Sequence, residues 1–352
     1  MAIATAQARL GVQRSGWWTR NQRQVIPYLY VAPFFVLFVV FGVFPILYSF
    51  YISLLRGLGL GAKSFYGLGN YAYLFQDPRY LHAFWNTVYF TLASILVLSP
   101  LALLLALALE SVFVRPRWRG FYRLIFFLPV VTSSVIIAVL FLRVFDQRYG
   151  LLNQFLAGLG PLSAWQHDWL RDRSLVLGFD WSRSVLDVPI IGDIIKAGTV
   201  VWTALFMMNV WNFIGINALY WTAGLNSIDR ELYEAAAIDG ASAWHRFWYI
   251  SVPLLRPMTL FIVIQAIAGS FGVFAQPFLL TSGGPSDATM TLSLYLYTQG
   301  FSIGNFGYAN AIGYSMAVVT LVLSVLNLWL FREQEAKPPT AARARPAIRA
   351  GI

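Results

Sequence analysis

Six stretches of this 352-residue chain hold no charged side chain between their bounding residues. They run from Arg23 to Arg56, Arg79 to Glu110, Arg123 to Arg143, Lys196 to Asp229, Arg256 to Asp287 and Asp287 to Arg332. A membrane-crossing helix needs about 20 apolar residues, so each stretch can hold one. The pattern predicts helices over about 28–53, 85–109, 121–145, 198–222, 258–280 and 308–331. Hydrocarbon offers no partner to a stray backbone amide, and the period-2 alternation of barrel strands is absent. The fold class is therefore all-α integral membrane, with a six-helix domain over 28–331.

Composition agrees. Charged residues are 11% of the chain, against about 25% in soluble domains. Cysteine is absent, so neither a disulfide nor a thiolate metal site can form, and His82, His167 and His245 are scattered without a zinc-binding pair. No metal or cofactor is expected on this chain.

The net charge of +10 would suggest nucleic acid in a soluble protein, but here the placement of charge matters more. Arg9, Arg14, Arg20 and Arg23 precede the first apolar run, which is too long for a signal peptide and is read as a retained span. With residues 1–27 in the cytoplasm, 16 of the 25 Lys and Arg residues fall inside, so both termini are expected to be cytoplasmic and no nucleic acid partner is implied. The outer segment 146–195 is mixed in charge. Its Trp165, Trp169 and Trp181 suggest a surface-lying element at the membrane interface, either packed over the bundle or docking a partner. The tail 332–352 is rich in Ala, Pro and Arg and reads as disordered, free to touch anionic lipid.

Two kinds of chemistry are disfavoured. Gly57–Ser64 (GLGLGAKS) imitates a phosphate-binding loop, but Ala62 replaces the glycine required before Lys63 and no strand precedes it. No carboxylate lies mid-span to couple protons or sodium; Glu110 and Asp146 sit at span ends, where Arg143 can snorkel.

The loop 227–257, on the cytoplasmic side by charge, is the most informative segment. Ser227 is a candidate N-cap, with Asp229 and Glu231 adding negative charge to a first helical turn. Gly240 can end that helix in a left-handed conformation. A second short helix over about Ser242–Tyr249, stopped by Pro253 and Pro257, completes an elbow. Trp244, Phe247 and Trp248 would suit an elbow lying on lipid, whereas Ala235, Ala236, Ala237 and Ala241 are small enough to let another protein backbone approach.

Within this loop Glu234-Ala235-Ala236, Asp239-Gly240-Ala241, Ile250, Pro253 and Pro257 resemble the EAA motif of binding-protein-dependent ABC importer permeases. The runs Gly67–Thr91 and Leu280–Phe301 resemble the carbohydrate-uptake branch, whose members carry maltose, trehalose, other oligosaccharides or glycerol 3-phosphate. The resemblance implies a type I permease fold with cytoplasmic coupling helices, in a bacterial or archaeal plasma membrane. Glu234, Ala235, Ala236, Asp239, Gly240, Ala241 and Pro253 would form the ATPase-coupling surface, with Glu234 making the polar contact. The implied partners are a second permease, identical or a paralogue, two ATP-binding subunits carrying ATP and Mg, and an extracytoplasmic sugar-binding protein.

Candidate substrate residues are polar or aromatic groups on the fourth and fifth spans: Asn209, Trp211, Asn212, Gln265, Ser270 and Gln276. Amides match sugar hydroxyls as both donors and acceptors, and Trp211 could stack on a pyranose face. The same amides could instead tie neighbouring helices together. The resemblance aligns Asn209, and less closely Ser270, with sugar-contacting positions. No cation lies deep in either span, which favours a neutral cargo over a phosphorylated one: the expected cargo is a neutral oligosaccharide or disaccharide, with glycerol 3-phosphate or a related polyol as the alternative.

Overall fold

The computed structural model describes residues 17–59, 61, 63–110, 114–160, 166–174 and 199–335. The chain divides into two units, 1–53 and 54–352. The first consists of helix α1 (Trp17–Phe38), a wide π turn (Val39–Val43) and helix α2 (Phe44–Ser53). Phe34, Phe35, Phe38 and Phe44 stand exposed along it, as lipid-facing side chains do.

The second unit opens with a two-residue antiparallel pair, β1 (Leu55–Arg56) against β2 (Ser64–Phe65), and a short helix α3 (Gly69–Leu74). Asp77 then caps α4 (Pro78–Ala93), its carboxylate accepting the Arg79 amide at 2.9 Å. A π turn (Ser94–Leu98) links α4 to α5 (Ser99–Glu110). Next come α6 (Pro116–Val131), α7 (Ser134–Val144) and α8 (Leu151–Gly158). The long helix α9 (Val200–Asn226) leads to the elbow: α10 (Arg230–Ile238), α11 (Ala243–Arg246), a π turn (Phe247–Ser251) and α12 (Val252–Leu254). The remaining helices are α13 (Arg256–Phe271), α14 (Ala275–Leu280), α15 (Leu292–Tyr297) and α16 (Phe306–Glu335).

Among the described residues, five helical segments are long and apolar enough to cross a membrane: Ile26–Ser53, Pro78–Glu110, Val200–Asn226, Arg256–Leu280 and Phe306–Leu330. A sixth crossing exists if α6 and α7 form one span. They are not the single straight helix expected over 121–145, because the chain bends by 98° between them. Thr132 and Ser133 adopt extended ψ angles of 142° and 131°, and the Thr132 hydroxyl donates to the Leu128 carbonyl freed by the break. The expected span 258–280 is also interrupted, at Gly272–Phe274. The expected 332–352 tail begins as helix through Glu335, and its remainder lies outside the described residues.

Three apolar clusters hold the second unit together. One joins Phe90, Phe141, Phe145, Trp169, Trp202, Leu205 and Met208. Trp169 is therefore buried rather than surface-lying: its indole N–H donates to Asn153 at 2.7 Å and its ring packs on Phe145. Trp165 and Trp181 lie outside the described residues. A second cluster joins α4, α13, α15 and α16 through Ala83, Ile267, Leu292 and Ile312. The third lies towards the elbow and includes Ala102, Trp221, Leu255 and Ile262. The Trp221 indole donates to the Ser99 carbonyl at 3.0 Å, tying α9 to the start of α5.

Close helix approach depends on one glycine above the rest. A Cβ at Gly215 of α9 would sit 1.9 Å from the Phe126 carbonyl oxygen of α6. Small residues at such crossings let backbones meet in the membrane. Gly215→Ala should therefore lower stability by about 1–3 kcal/mol, read as a reduced thermal midpoint of the detergent-solubilised protein.

Candidate functional site: an amide-lined cavity and an exposed elbow

A cavity of about 460 Å³ opens where α9 faces the interruption between α13 and α14. Pockets of about 300–1,000 Å³ hold small ligands. Asn209 and Asn217 line it from α9, Gln265 and Ser270 from α13, and Gln276 from α14, with Phe90, Phe213, Tyr220 and Phe274 as aromatic walls. No Lys, Arg, Asp or Glu is among the described lining residues.

The interrupted helix makes this opening, and its backbone is satisfied at the same place. The Ser293 hydroxyl donates to the Phe271 carbonyl and the Thr291 hydroxyl to the Val273 carbonyl, both at 2.9 Å. Irregular backbone at membrane depth is tolerated where it is buried in protein or lines a cavity; here both conditions hold. The segment bearing these hydroxyls is itself clamped to α4. Asn86 donates to the Ala288 and Met290 carbonyls at 3.1 and 2.9 Å, and Trp202 of α9 donates to the same Ala288 carbonyl.

Four of the six sequence-selected substrate residues meet in the cavity: Asn209, Gln265, Ser270 and Gln276. Asn209, Ser270 and Gln276 are only 4%, 3% and 6% exposed. None of the four side chains hydrogen-bonds to another described residue, so their donors and acceptors remain free. Asn217, by contrast, donates to the Phe213 carbonyl one turn back. Trp211 and Asn212 do not line the cavity. Trp211 is 42% exposed and packs edge-on against Phe141, while Asn212 is buried with its Oδ1 unpaired.

The cavity's aromatic surface comes instead from residues that periodicity did not single out. Phe274, in the interruption, stacks on Phe278 at 4.9 Å; both touch Tyr297, which stacks on Phe301 at 5.3 Å. The available signal was the Gly272-Val273-Phe274 break, invisible while the span read as one helix.

At the other end of α9, the elbow is built largely from caps. Asp229, not Ser227, is the N-cap of α10, accepting the Glu231 amide at 3.0 Å; the Ser227 hydroxyl is occupied by the Gly224 carbonyl at 2.7 Å. Gly240 has φ +81°, its N–H donates to the Ala237 carbonyl, and the Ala241 N–H donates to the Ala236 carbonyl at 2.9 Å. This pair of bonds is the Schellman arrangement that a left-handed glycine closes. Ser242 then caps α11 through the His245 amide.

Pro253 does not stop the second elbow helix, which runs on to Leu254. A proline has no N–H for the carbonyl one turn back and its ring crowds that carbonyl; here the π turn Phe247–Ser251 widens the helix just ahead of it. Tyr233 and Ser251 share a hydrogen bond of 2.8 Å that ties the two arms.

No residue of α10 or α11 is buried. Glu234 reaches Arg230 at 3.2 Å with both side chains largely exposed, and Ala235 and Asp239 are exposed beside it. Leu232, Ile238, Trp244, Trp248 and Tyr249 present apolar surface, Ile238 being 88% exposed.

Comparison with known proteins locates both features. Residues 98–336, which include the cavity helices and the elbow, match the family described as binding-protein-dependent transport system inner membrane component. A probable ABC transporter permease of Bacillus subtilis is 35% identical over 313 residues, covering 89% of this chain and 98% of that protein. An arabinooligosaccharides transport system permease of the same organism is 33% identical, covering 90% and 92%. A lactose transport system permease of Rhizobium radiobacter is 33% identical, covering 88% and 94%. The fold is shared with a chain of a bacterial ABC transporter that imports alginate, with a TM-score of 0.69 at 24% identity over 90% of this chain and 98% of that one.

Gly240 lies in open space, so a side chain there meets only the conformational cost of a positive φ. Gly240→Val should raise amide hydrogen exchange across 230–241 by roughly 5- to 30-fold, the equivalent of about 1–2 kcal/mol, while the core of α9 keeps its protection.

Proposed function

The chain belongs to the binding-protein-dependent transport system inner membrane components, a family of permease subunits, and from that premise we propose that it carries a neutral sugar through the amide-lined cavity. It is a transport subunit rather than an enzyme. The observation that carries the sugar reading is the set of unspent hydrogen-bonding groups of Asn209, Gln265, Ser270 and Gln276 around an uncharged cavity.

A buried amide left without a partner costs about 1–3 kcal/mol, and a polyhydroxylated ligand removes that cost by bonding to donors and acceptors together. Phe274 adds an apolar face for a pyranose ring. The absence of a lining cation speaks against a phosphorylated cargo such as glycerol 3-phosphate. Among the relatives' named cargoes, arabinooligosaccharides and lactose fit the same chemistry, while other relatives at 32–33% identity are named for sn-glycerol 3-phosphate. Neutral oligosaccharides or disaccharides are thus the favoured class.

The elbow supplies coupling. Its exposed apolar residues Ile238, Trp244 and Tyr249, together with the small Ala235, Ala236 and Ala241 and with Glu234 on the same elbow, suit insertion into a cleft of an ATP-binding subunit. Because α10 follows the cavity helix α9 after only three residues, force on the elbow is passed to the wall bearing Asn209. In this assembly the elbow faces the cytoplasm, two ATP-binding subunits hold ATP and Mg, a second permease completes the path and a sugar-binding protein docks on the opposite side. ATP binding opens the path outward and hydrolysis returns it.

Reconstituted transport separates the two roles. Gln276→Leu should reduce sugar-dependent transport roughly 3- to 10-fold, the loss of one hydrogen bond, with ATPase association unchanged. Glu234→Lys should abolish co-purification of the ATPase and leave binding of radiolabelled sugar by the detergent-solubilised permease intact. Normal ATP-driven transport in Glu234→Lys would remove the coupling assignment, and unaltered transport in Gln276→Leu the cavity assignment.

A further inference from the structure

Helix α8 is two-faced in a way that neither transport nor coupling uses. Leu152 and Leu156 pack inward on the cluster that contains Phe141 and Phe145, and Asn153 is buried between them. Asn153 is a four-way anchor: it donates to the Gln147 and His167 carbonyls and accepts from the His167 amide and the Trp169 indole. The helix is therefore held firmly on one side. On the adjacent side Leu151, Phe155 and Leu159 are 64%, 63% and 42% exposed, one turn apart, with Tyr149 exposed ahead of them.

We propose that this face of α8 lies in the membrane interface, with Leu151, Phe155 and Leu159 among the acyl chains and the surrounding arginines on anionic lipid phosphates. Two observations select lipid as the occupant. The first is continuity. The row follows directly on α7, whose Val135, Ile136, Val139, Leu140 and Leu142 form an exposed apolar face; with α6 and α7 read as one bent crossing, that face lies against lipid. Only the turn Phe145–Gly150 separates the two helices, which keeps α8 next to the end of that apolar face.

The second is charge. Arg143, Arg148, Arg171 and Arg173 are all exposed on the described part of this region. Of the three described acids beside them, Asp146, Asp168 and Asp172, two are turned to internal use. Asp146 accepts the Arg148 and Tyr149 amides at 3.0 and 2.7 Å. Asp172 binds His167 at 2.8 Å and the Ser174 amide at 2.7 Å. Exposed apolar rows flanked by guanidinium groups are the chemistry of interfacial helices on anionic bilayers. Arginine stems can lie along the acyl boundary while their heads reach phosphate.

The chain has no cysteine, so one introduced thiol is unique. Nitroxide labels at Leu151→Cys, Phe155→Cys and Ala157→Cys would be read in the full chain in nanodiscs of phosphatidylethanolamine and phosphatidylglycerol. Positions 151 and 155 should collide with oxygen rather than with a water-soluble nickel chelate, and position 157 should do the reverse. The paired substitution Arg148→Gln and Arg171→Gln should weaken retention of phosphatidylglycerol over phosphatidylcholine roughly fivefold per arginine. Nickel access at 151 and 155 would overturn the proposal. So would water access lost only on adding the binding protein, which would make the face a protein dock.

Discussion

Everything in this chain is arranged around the need to pair each backbone amide and carbonyl where no water is available. Straight helices meet that need alone, and most of the chain obeys. The places where it does not are the informative ones, because each carries its own compensation. Thr132 covers a carbonyl at the bend between α6 and α7, and Ser293 and Thr291 cover the interruption of α13 and α14.

The same constraint explains the cavity. Breaking a helix at Gly272–Phe274 is tolerable only with an external supply of donors, and those donors sit on a loop that must be held still. Asn86 and Trp202 hold it through the Ala288 carbonyl. Once that scaffold is complete, the amides around the break need not stabilise the fold. Asn209, Gln265 and Gln276 are left with free hydrogen-bonding capacity facing the cavity.

The elbow solves the opposite problem. Outside the bundle it has no core, so its geometry rests on caps: Asp229 at the start, the left-handed Gly240 at the turn and Ser242 after it, with Tyr233 and Ser251 tying the arms. Such an element is rigid in shape while almost all of its side chains remain exposed, a suitable combination for transmitting a push to α9.

The sequence by itself determined the membrane class, the approximate positions of the apolar segments, the elbow and its glycine, and the polar residues of the fourth and fifth spans. These follow from local physics: charge exclusion from hydrocarbon, capping preferences and the φ range open to glycine. Tertiary structure decided what local signals leave degenerate. An apolar run reads the same whether its helix is straight, bent at Thr132 or broken at Gly272, because the compensating hydroxyls come from elsewhere in the chain. An amide on a span reads the same whether it is spent, as in Asn217, or free, as in Gln276. A tryptophan reads as interfacial until a partner such as Asn153 draws it inward, as happens to Trp169. Trp211 shows the limit from the other side: it shares a helix with Asn209, yet two residues' rotation turns it from the cavity towards Phe141.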